Sequence, residues 1–211
     1  MSTPRPAPRL YLVTPLVDDA AAFVVELNAA LDSADIAAVL LRLSDSDERT
    51  LINRAKAIAA AVQRRDVALL LDNRPDLVAK AGADGAHLTG ITALIAALPK
   101  LKPDRIAGAG GLRSRHDAML AGEAEADYAM FGEPDARGGR PPFHTIEERL
   151  AWWAELIEAP CVGYAASPQE IRPLVAAGAD FVALGDWIWT HPQGPAAVVK
   201  TAADSLSEPA L

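Results

Sequence analysis

The chain has 211 residues, of which 51% are hydrophobic and only 5% aromatic, so it is long enough for one compact domain with an aliphatic core. Its formal net charge of -8 argues against a nucleic-acid partner, because phosphate backbones attract clustered lysine and arginine side chains. No apolar run approaches the ~18 residues of a membrane-spanning helix and no apolar leader opens the chain, so we expect a cytoplasmic protein without a membrane partner.

Short β-branched or leucine-rich runs alternate along the chain with longer alanine-rich segments. This alternation is typical of βα units repeated around a parallel sheet. One of the longer segments, 47–65, repeats its apolar residues every three or four positions, which predicts a helix that packs one face on the sheet. The predicted strands, in chain order, are 9–14, 37–42, 67–72, 85–88, 105–110, 128–132, 161–164 and 181–185.

A weak internal repeat supports the same count of strands. An Ala-Asp pair precedes every second predicted strand, with its aspartate at Asp35, Asp84, Asp127 and Asp180. Each interval is about the length of two βα units. Four double units predict a closed (β/α)8 TIM barrel over 9–204, with a disordered tail at 1–8 and a second tail at 205–211.

The loops after the carboxyl ends of the strands are expected to form the site, because all strand ends meet there with helix amino termini. Arg42 ends the second strand, where its guanidinium suits a phosphate or carboxylate; the alternative is an ion pair with Asp72 or Asp45 that closes the barrel rim. Asp72 and Asn73 end the third strand and offer a carboxylate and an amide to a hard cation such as Mg2+.

The longest of these loops, 132–145, contains Arg137 and Arg140 around two glycines. It is interpreted either as a mobile phosphate lid or as a solvated surface loop. The glycine-rich segment 108–111 lacks the spacing of a dinucleotide fingerprint. The remaining strand-end candidates for substrate binding are Gly110, Gly163, Gly185 and Asp186.

Histidine and cysteine indicate no metal or nucleophile site. The four histidines have no metal-ligand spacing, and His87 lies among apolar neighbours in a strand, so it is interpreted as a barrel-interior residue. Cys161 is the only cysteine, which excludes an internal disulfide and a cysteine-based zinc site. We interpret it as a buried, inert thiol.

Several motifs of this chain resemble, in order and spacing, those of the thiamine-phosphate synthase family. The likeness covers nearly the whole chain, and its strongest parts are scaffold motifs that precede strands. The segments that carry it are 10–14 (LYLVT), 69–77 (LLLDNRPDL), 81–88 (AGADGAHL), 126–132 (ADYAMFG) and 177–184 (AGADFVAL).

The resemblance implies a transferase of thiamine biosynthesis. It would join a pyrimidine diphosphate to a thiazole phosphate and release pyrophosphate with Mg2+, passing through a pyrimidine carbocation. A small phosphorylated heterocycle would lie among Arg42, Asp72, Asn73 and Arg140, with Asp72 holding the metal. The family also implies a homodimer.

Other matched positions depart from the family's pattern, so the chain resembles a divergent member. A glutamine and a lysine near the matched arginine are replaced, the latter by Ser44, and Thr92 stands where a second metal-holding aspartate is expected. In the loop 132–145, the two threonine hydroxyl groups of the family's pattern are absent. The family's Gly-Gly phosphate turn after the seventh strand reads Ala165-Ala166, and Asp186 stands where the family has a small residue after the eighth strand. We therefore expect synthase turnover to be weak or absent.

Three alternatives remain open. The thiazole tautomerases, a sister group, use a histidine after the sixth strand as acid/base, and Glu133 occupies that place here; a carboxylate shuttles protons when its pKa suits. Catalysis could instead be lost, leaving a barrel that binds a small thiamine-related ligand without metal. Asp186 with Trp187 and Trp189 could also hold a cation, unless these rings only pack.

Overall fold

The computed structural model describes residues 6–207. Eight parallel strands pair in sequence order, and β1 closes the barrel against β8, which confirms the predicted (β/α)8 barrel. The strands are β1 (Arg9–Val17), β2 (Ile36–Leu43), β3 (Ala68–Asp72), β4 (Gly85–Thr89), β5 (Ile106–Gly110), β6 (Tyr128–Phe131), β7 (Cys161–Ala165) and β8 (Phe181–Leu184). The helices are α1 (Ala20–Leu31), α2 (Glu48–Gln63), α3 (Val78–Ala81), α4 (Ile91–Leu101), α5 (Arg115–Glu123), α6 (Phe143–Leu156), α7 (Ile171–Ala176) and α8 (Gly194–Ser207).

The first strand and the last helix of the barrel differ in length from the prediction. β1 continues past Thr14 to Val17 after a register shift against β2. α8 runs to Ser207, so 205–207 belong to the helix rather than to a tail. The Ser205 hydroxyl donates to the Thr201 carbonyl, and Leu206 packs on the core, which keeps the last turn helical. Residues 6–8 carry no regular structure, and 1–5 and 208–211 lie outside the described residues.

Two apolar layers hold the fold together. The larger layer lies between the outer faces of the strands and the helices, and includes the fully buried Trp153. The smaller layer fills the barrel, because alternate residues of each strand point inward. Its buried members are Tyr11, Val13, Ala38, Leu40, Leu70, Tyr128, Met130, Val162, Tyr164 and Ala183.

The Ala-Asp repeat has a structural explanation at the amino-terminal end of the barrel. The carboxylates of Asp84, Asp127 and Asp180 each accept a backbone N–H near the start of the preceding odd-numbered strand, at 2.6 to 2.8 Å. Asp35 instead accepts from the Arg9 side chain of β1, at 2.7 and 2.9 Å. The repeat therefore joins the strands in pairs, at the end of the barrel that serves stability rather than chemistry.

None of the helices within residues 6–207 is both long and apolar enough to cross a bilayer.

Candidate active site

A cavity of about 990 Å³ opens at the carboxyl ends of the strands. Its size is within the range of small-molecule sites. Five of the predicted residues line it, together with Thr92: Arg42, Asp72, Asn73, Glu133 and Arg140. The fold thus brings together side chains from the ends of β2, β3 and β6 and from the loop before α6.

Glu133 is the acidic group with the most perturbed environment in this cavity. It follows β6 directly after Gly132, whose positive φ of 96° turns the chain at the end of the strand. Its carboxylate accepts the backbone N–H of Gly111. Burial raises the pKa of Glu133 to about 7, although that hydrogen bond and the charges of Arg140 and Arg149 act in the opposite direction. The group therefore titrates near neutral pH, where a general acid or base is most effective.

His87 lies beside Glu133 and continues into a buried hydrogen-bonded chain. Its Nδ1 is 2.9 Å from the Tyr128 hydroxyl, which is itself 2.9 Å from the Tyr11 hydroxyl. Burial lowers the pKa of His87 to about 4, so the imidazole is neutral at physiological pH. His87 is a barrel-interior residue as predicted, and its ring also reaches the cavity wall.

Gly110 provides the space in which these two groups meet. A methyl group at Gly110 would overlap both His87 Nε2 and Glu133 Oε1. The structure places Gly110 behind this pair, while Gly111 lines the cavity itself. Gly110 is therefore a position of close approach to His87 and Glu133, and its predicted contact with the substrate stays a prediction.

The β2–β3 side of the cavity is held by polar contacts within the chain. Arg42 Nη1 donates to Asp186 Oδ1 at 2.8 Å, so Arg42 does form an ion pair at the rim, but with Asp186 rather than with the expected Asp72 or Asp45, and Asp45 pairs with Arg74 instead. Burial raises the pKa of Asp72, while the positive charges of Arg42 and Arg74 lower it. The Asn73 amide donates to Asp72 Oδ1 and the Thr89 hydroxyl and accepts the Thr89 N–H, so it braces the loop.

Comparison with known proteins identifies the family. A family model described as thiamine monophosphate synthase matches residues 10–188. The chain belongs to the thiamine monophosphate synthase family. This confirms the resemblance that the sequence motifs indicated.

The similarity to the proteins named below covers nearly the full length of this chain. It is 44% identical to a thiamine-phosphate synthase of Rhodospirillum centenum over 90% of this chain and 94% of that protein. It is 37% identical to a thiamine-phosphate synthase of Hyphomonas neptunium over 93% of each. Thiamine phosphate pyrophosphorylase from Pyrococcus furiosus superimposes with a TM-score of 0.76 at 19% identity, covering 97% of this chain and 99% of that one, which shows the shared fold.

This chain offers few donors to Mg2+, the metal that the thiamine monophosphate synthase resemblance implies. Among residues 6–207 no group of three acidic, histidine or cysteine side chains is placed to hold a metal. Asp72 offers one carboxylate, but it lies near two guanidinium groups, and burial opposes its ionisation. Thr92, at the second metal position of the family, supplies only a hydroxyl. Mg2+ in proteins is usually held by one or two carboxylates together with waters and substrate phosphates, so of the residues named here only Asp72 would contribute a carboxylate to such a site.

The loop before α6 is tied to the barrel by Arg140. Its Nε donates to the Gly132 carbonyl, its Nη2 to the Tyr164 carbonyl, and its Nη1 to both oxygens of Glu170 at 2.8 and 3.0 Å. Arg137, by contrast, is exposed and does not line the cavity. Its backbone N–H donates to Asp135, which also closes the turn by accepting from Gly139.

The remaining predicted glycines are packing positions outside the cavity wall. A methyl group on Gly163 would lie 3.0 Å from Leu174 and 3.1 Å from Leu150, so this residue faces the helices. One on Gly185 would overlap the Tyr164 hydroxyl. Both glycines allow large neighbours to approach the backbone, and neither lines the cavity; their predicted part in substrate binding stays a prediction.

Three further residues line the cavity that the sequence did not single out as site residues: Arg113, Arg149 and Tyr164. Arg113 and Arg149 line the cavity after β5 and on α6, and Arg149 donates to the carbonyls of Leu112 and Arg113. Tyr164 lines the wall under Arg140, whose guanidinium carbon lies 5.9 Å from the ring centroid. Arg113 and Tyr164 had the signal of a place at or after a strand end, which polar surface residues share, whereas Arg149 lies within α6 and had no such signal.

The two tryptophans after β8 have a packing role. The Trp187 indole donates to the Ala165 carbonyl at 3.0 Å, and the Trp189 indole to the Val13 carbonyl at 2.7 Å. Trp189 also meets Phe23 edge to face, at 4.9 Å between centroids. These contacts support the packing alternative over a cation site beside Asp186.

Proposed function

We propose that the chain joins a pyrimidine diphosphate to a thiazole phosphate in the cavity at the barrel mouth and releases pyrophosphate, as a cytoplasmic step of thiamine biosynthesis. The observation that carries this proposal is the 44% identity, over 94% of its length, to a protein named thiamine-phosphate synthase. The open cavity of about 990 Å³ at the carboxyl ends of the strands supports the proposal, because two small heterocycles need a space of that order.

The cavity's acidic side chains suit a reaction in which positive charge develops on the pyrimidine. Asp72 and Glu133 both line the wall, and a fixed carboxylate stabilises a cation strongly in a site shielded from water. As the C–O bond to the diphosphate breaks, the thiazole nitrogen supplies the electron pair of the new C–N bond. Arg113 and Arg149 are the lining cations available on the β5–α6 side for the departing pyrophosphate.

We expect turnover below that of relatives with the full family motif. Arg42 and Arg140 are both already paired with carboxylates of this chain. Fewer cations therefore remain to stabilise the leaving group, and leaving-group stabilisation is a large part of catalysis in this type of reaction.

The test is an assay of the purified chain with the pyrimidine diphosphate and the thiazole phosphate. Product formation is followed by mass spectrometry and pyrophosphate release by a coupled assay. Asp72→Asn should lower the rate, while Glu155→Gln, at the exposed far end of α6, should leave it unchanged. Absence of both products would contradict the proposal.

A second candidate is favoured by the placement of Glu133 and His87 side by side against Gly110. A carboxyl group that titrates near pH 7 beside a neutral imidazole is a suitable pair for moving a proton within a bound heterocycle, as in a thiazole tautomerase. Incubation of thiazole isomers in D2O, followed by NMR, would detect the exchange. Glu133→Gln should abolish it, and unchanged exchange in that variant would exclude this role.

A further inference from the structure

The base of the cavity is lined by apolar and aromatic side chains that point into the barrel. Val13, Leu40, Met130 and Tyr164 belong to the buried layer inside the barrel and also line the cavity. They come from β1, β2, β6 and β7. A tyrosine ring and a thioether both make favourable contacts with a bound aromatic ring. This part of the cavity therefore suits an uncharged aromatic ring better than a phosphate group.

One acidic group interrupts this apolar base, on the β4–β6 side. Glu133, which follows β6, lines the cavity beside His87 of β4, and both lie against Gly110 of β5. Burial lowers the pKa of His87 to about 4, so its neutral imidazole does not neutralise the carboxyl. Among the residues that the structure describes, Glu133 is in no ion pair, whereas Arg42 and Arg140 each have a carboxylate partner.

The Glu133 carboxyl can accept a hydrogen bond from a ligand in addition to its present one. It accepts the backbone N–H of Gly111, and a carboxylate has about four acceptor positions. Asp72, the other carboxylate of the wall, already accepts from the Asn73 amide and lies near two guanidinium groups. A ring that binds against Glu133 is expected to carry an N–H donor, because a shielded acceptor left without a partner is unfavourable.

Of the two heterocycles in the proposed reaction, an aminopyrimidine meets this requirement and a thiazole phosphate does not. The amino group of an aminopyrimidine offers N–H donors at the edge of an uncharged ring. A thiazole phosphate has a ring nitrogen but no N–H group. That nitrogen must also keep its electron pair for the new C–N bond, so a position against the carboxyl is unsuitable for it. The arrangement therefore favours the pyrimidine half at the base of the cavity.

We propose that Glu133 is a specificity-determining residue that binds the amino group of an aminopyrimidine diphosphate, whose ring lies on the apolar base. This inference rests on the proposed joining function. Glu133 accepts a hydrogen bond in this role and exchanges no proton with the ligand. The reaction itself is unchanged: the thiazole nitrogen supplies the electron pair of the C–N bond, and pyrophosphate leaves with that of the broken C–O bond.

The experiment is isothermal titration of the full chain, without the thiazole, with the aminopyrimidine diphosphate and with an analogue that has hydrogen in place of the amino group. The wild-type chain should bind the amino compound more tightly, by about tenfold or more. Glu133→Met keeps the length of the side chain and removes its oxygen acceptors, so this ratio should fall to within about threefold of one. Glu133→Gln keeps a carbonyl acceptor and should retain most of the ratio.

The ratio separates recognition from a structural role. A variant that merely loosens the site weakens both ligands alike and leaves the ratio unchanged, since comparing two ligands on two variants isolates the pairwise contribution. Glu155→Met, the same substitution at an exposed position of α6, should keep the wild-type ratio. If Glu133→Met does not fold by circular dichroism, Glu133→Ala, which adds no bulk, takes its place.

The outcomes also separate the two proposals. A wild-type ratio near one, or a ratio that Glu133→Met leaves unchanged, would overturn the inference and leave the joining function standing. Failure of the wild-type chain to bind the aminopyrimidine diphosphate would overturn the joining function, and the inference with it.

Discussion

Replacing Glu133 with glutamine should stabilise the folded chain above neutral pH and have little effect in mild acid. The carboxyl has a pKa of about 7 in the folded chain, against an ordinary value of 4.5. Glu133 therefore binds its proton more tightly in the folded chain than in the unfolded chain. The stability that the protonated form contributes is complete below pH 4.5 and is lost as the pH rises towards 7.

The magnitude follows from the same two values. A change of pKa from 4.5 to about 7 corresponds to about 3 kcal/mol of unfolding free energy once the group is ionised in both states. This is an upper limit, because Glu133 lines the cavity and water there screens its charge. Glutamine keeps the acceptor for the Gly111 N–H and carries no charge, so the variant should lack this pH dependence.

The assay is urea denaturation of wild type and Glu133→Gln at a series of pH values from 5 to 8. The advantage of the variant should grow from less than about 1 kcal/mol at pH 5 to as much as about 3 kcal/mol at pH 8. Glu155→Gln, an exposed change on α6, controls for the general loss of a negative charge. A difference between Glu133→Gln and wild type that stays constant across this range would refute the reasoning.

Further predictions concern the neighbours of Glu133 and the metal. Tyr128→Phe should lower the unfolding free energy by about 1–3 kcal/mol in urea, because its hydroxyl bonds both Tyr11 and His87; no loss would contradict the buried chain. Gly110→Ala should cost about 1–3 kcal/mol through overlap with two side chains, and an unchanged midpoint would contradict that packing. Adding Mg2+ should leave the thermal midpoint unchanged, whereas a rise that Asp72→Asn abolishes would establish a site at Asp72.

Much of the fold could be predicted because its signals are local. Each strand is a short apolar run, and the recurring aspartates show where one double unit gives way to the next. The structure adds the physical reason for three of them: the carboxylates of Asp84, Asp127 and Asp180 accept N–H groups at the starts of neighbouring strands. The extension of α8 to Ser207 was missed because hydroxyl side chains usually indicate a helix end.

The contents of the site could be predicted only in part. Strand ends indicated which side chains reach the mouth, but not which of them neutralise each other. Arg42 and Asp186 are 144 residues apart, and Arg140 and Glu170 are 30 apart, so no local pattern reveals either pair. The placement of Gly163 could have been predicted, because successive side chains of a strand point to opposite faces of the sheet. Its neighbours Val162 and Tyr164 fill the barrel, so Gly163 must face the helices.

The buried chain from Tyr11 to His87 also couples the direction of two hydroxyl groups to the tautomer of the imidazole. Either hydroxyl can donate in the bond between Tyr11 and Tyr128, but when Tyr11 donates there and Tyr128 donates to His87 Nδ1, both hydroxyl hydrogens have an acceptor. In that arrangement the neutral imidazole carries its hydrogen on Nε2, the nitrogen that points towards Gly110 and Glu133. A molecule that binds against His87 at the base of the cavity must then bring a lone pair.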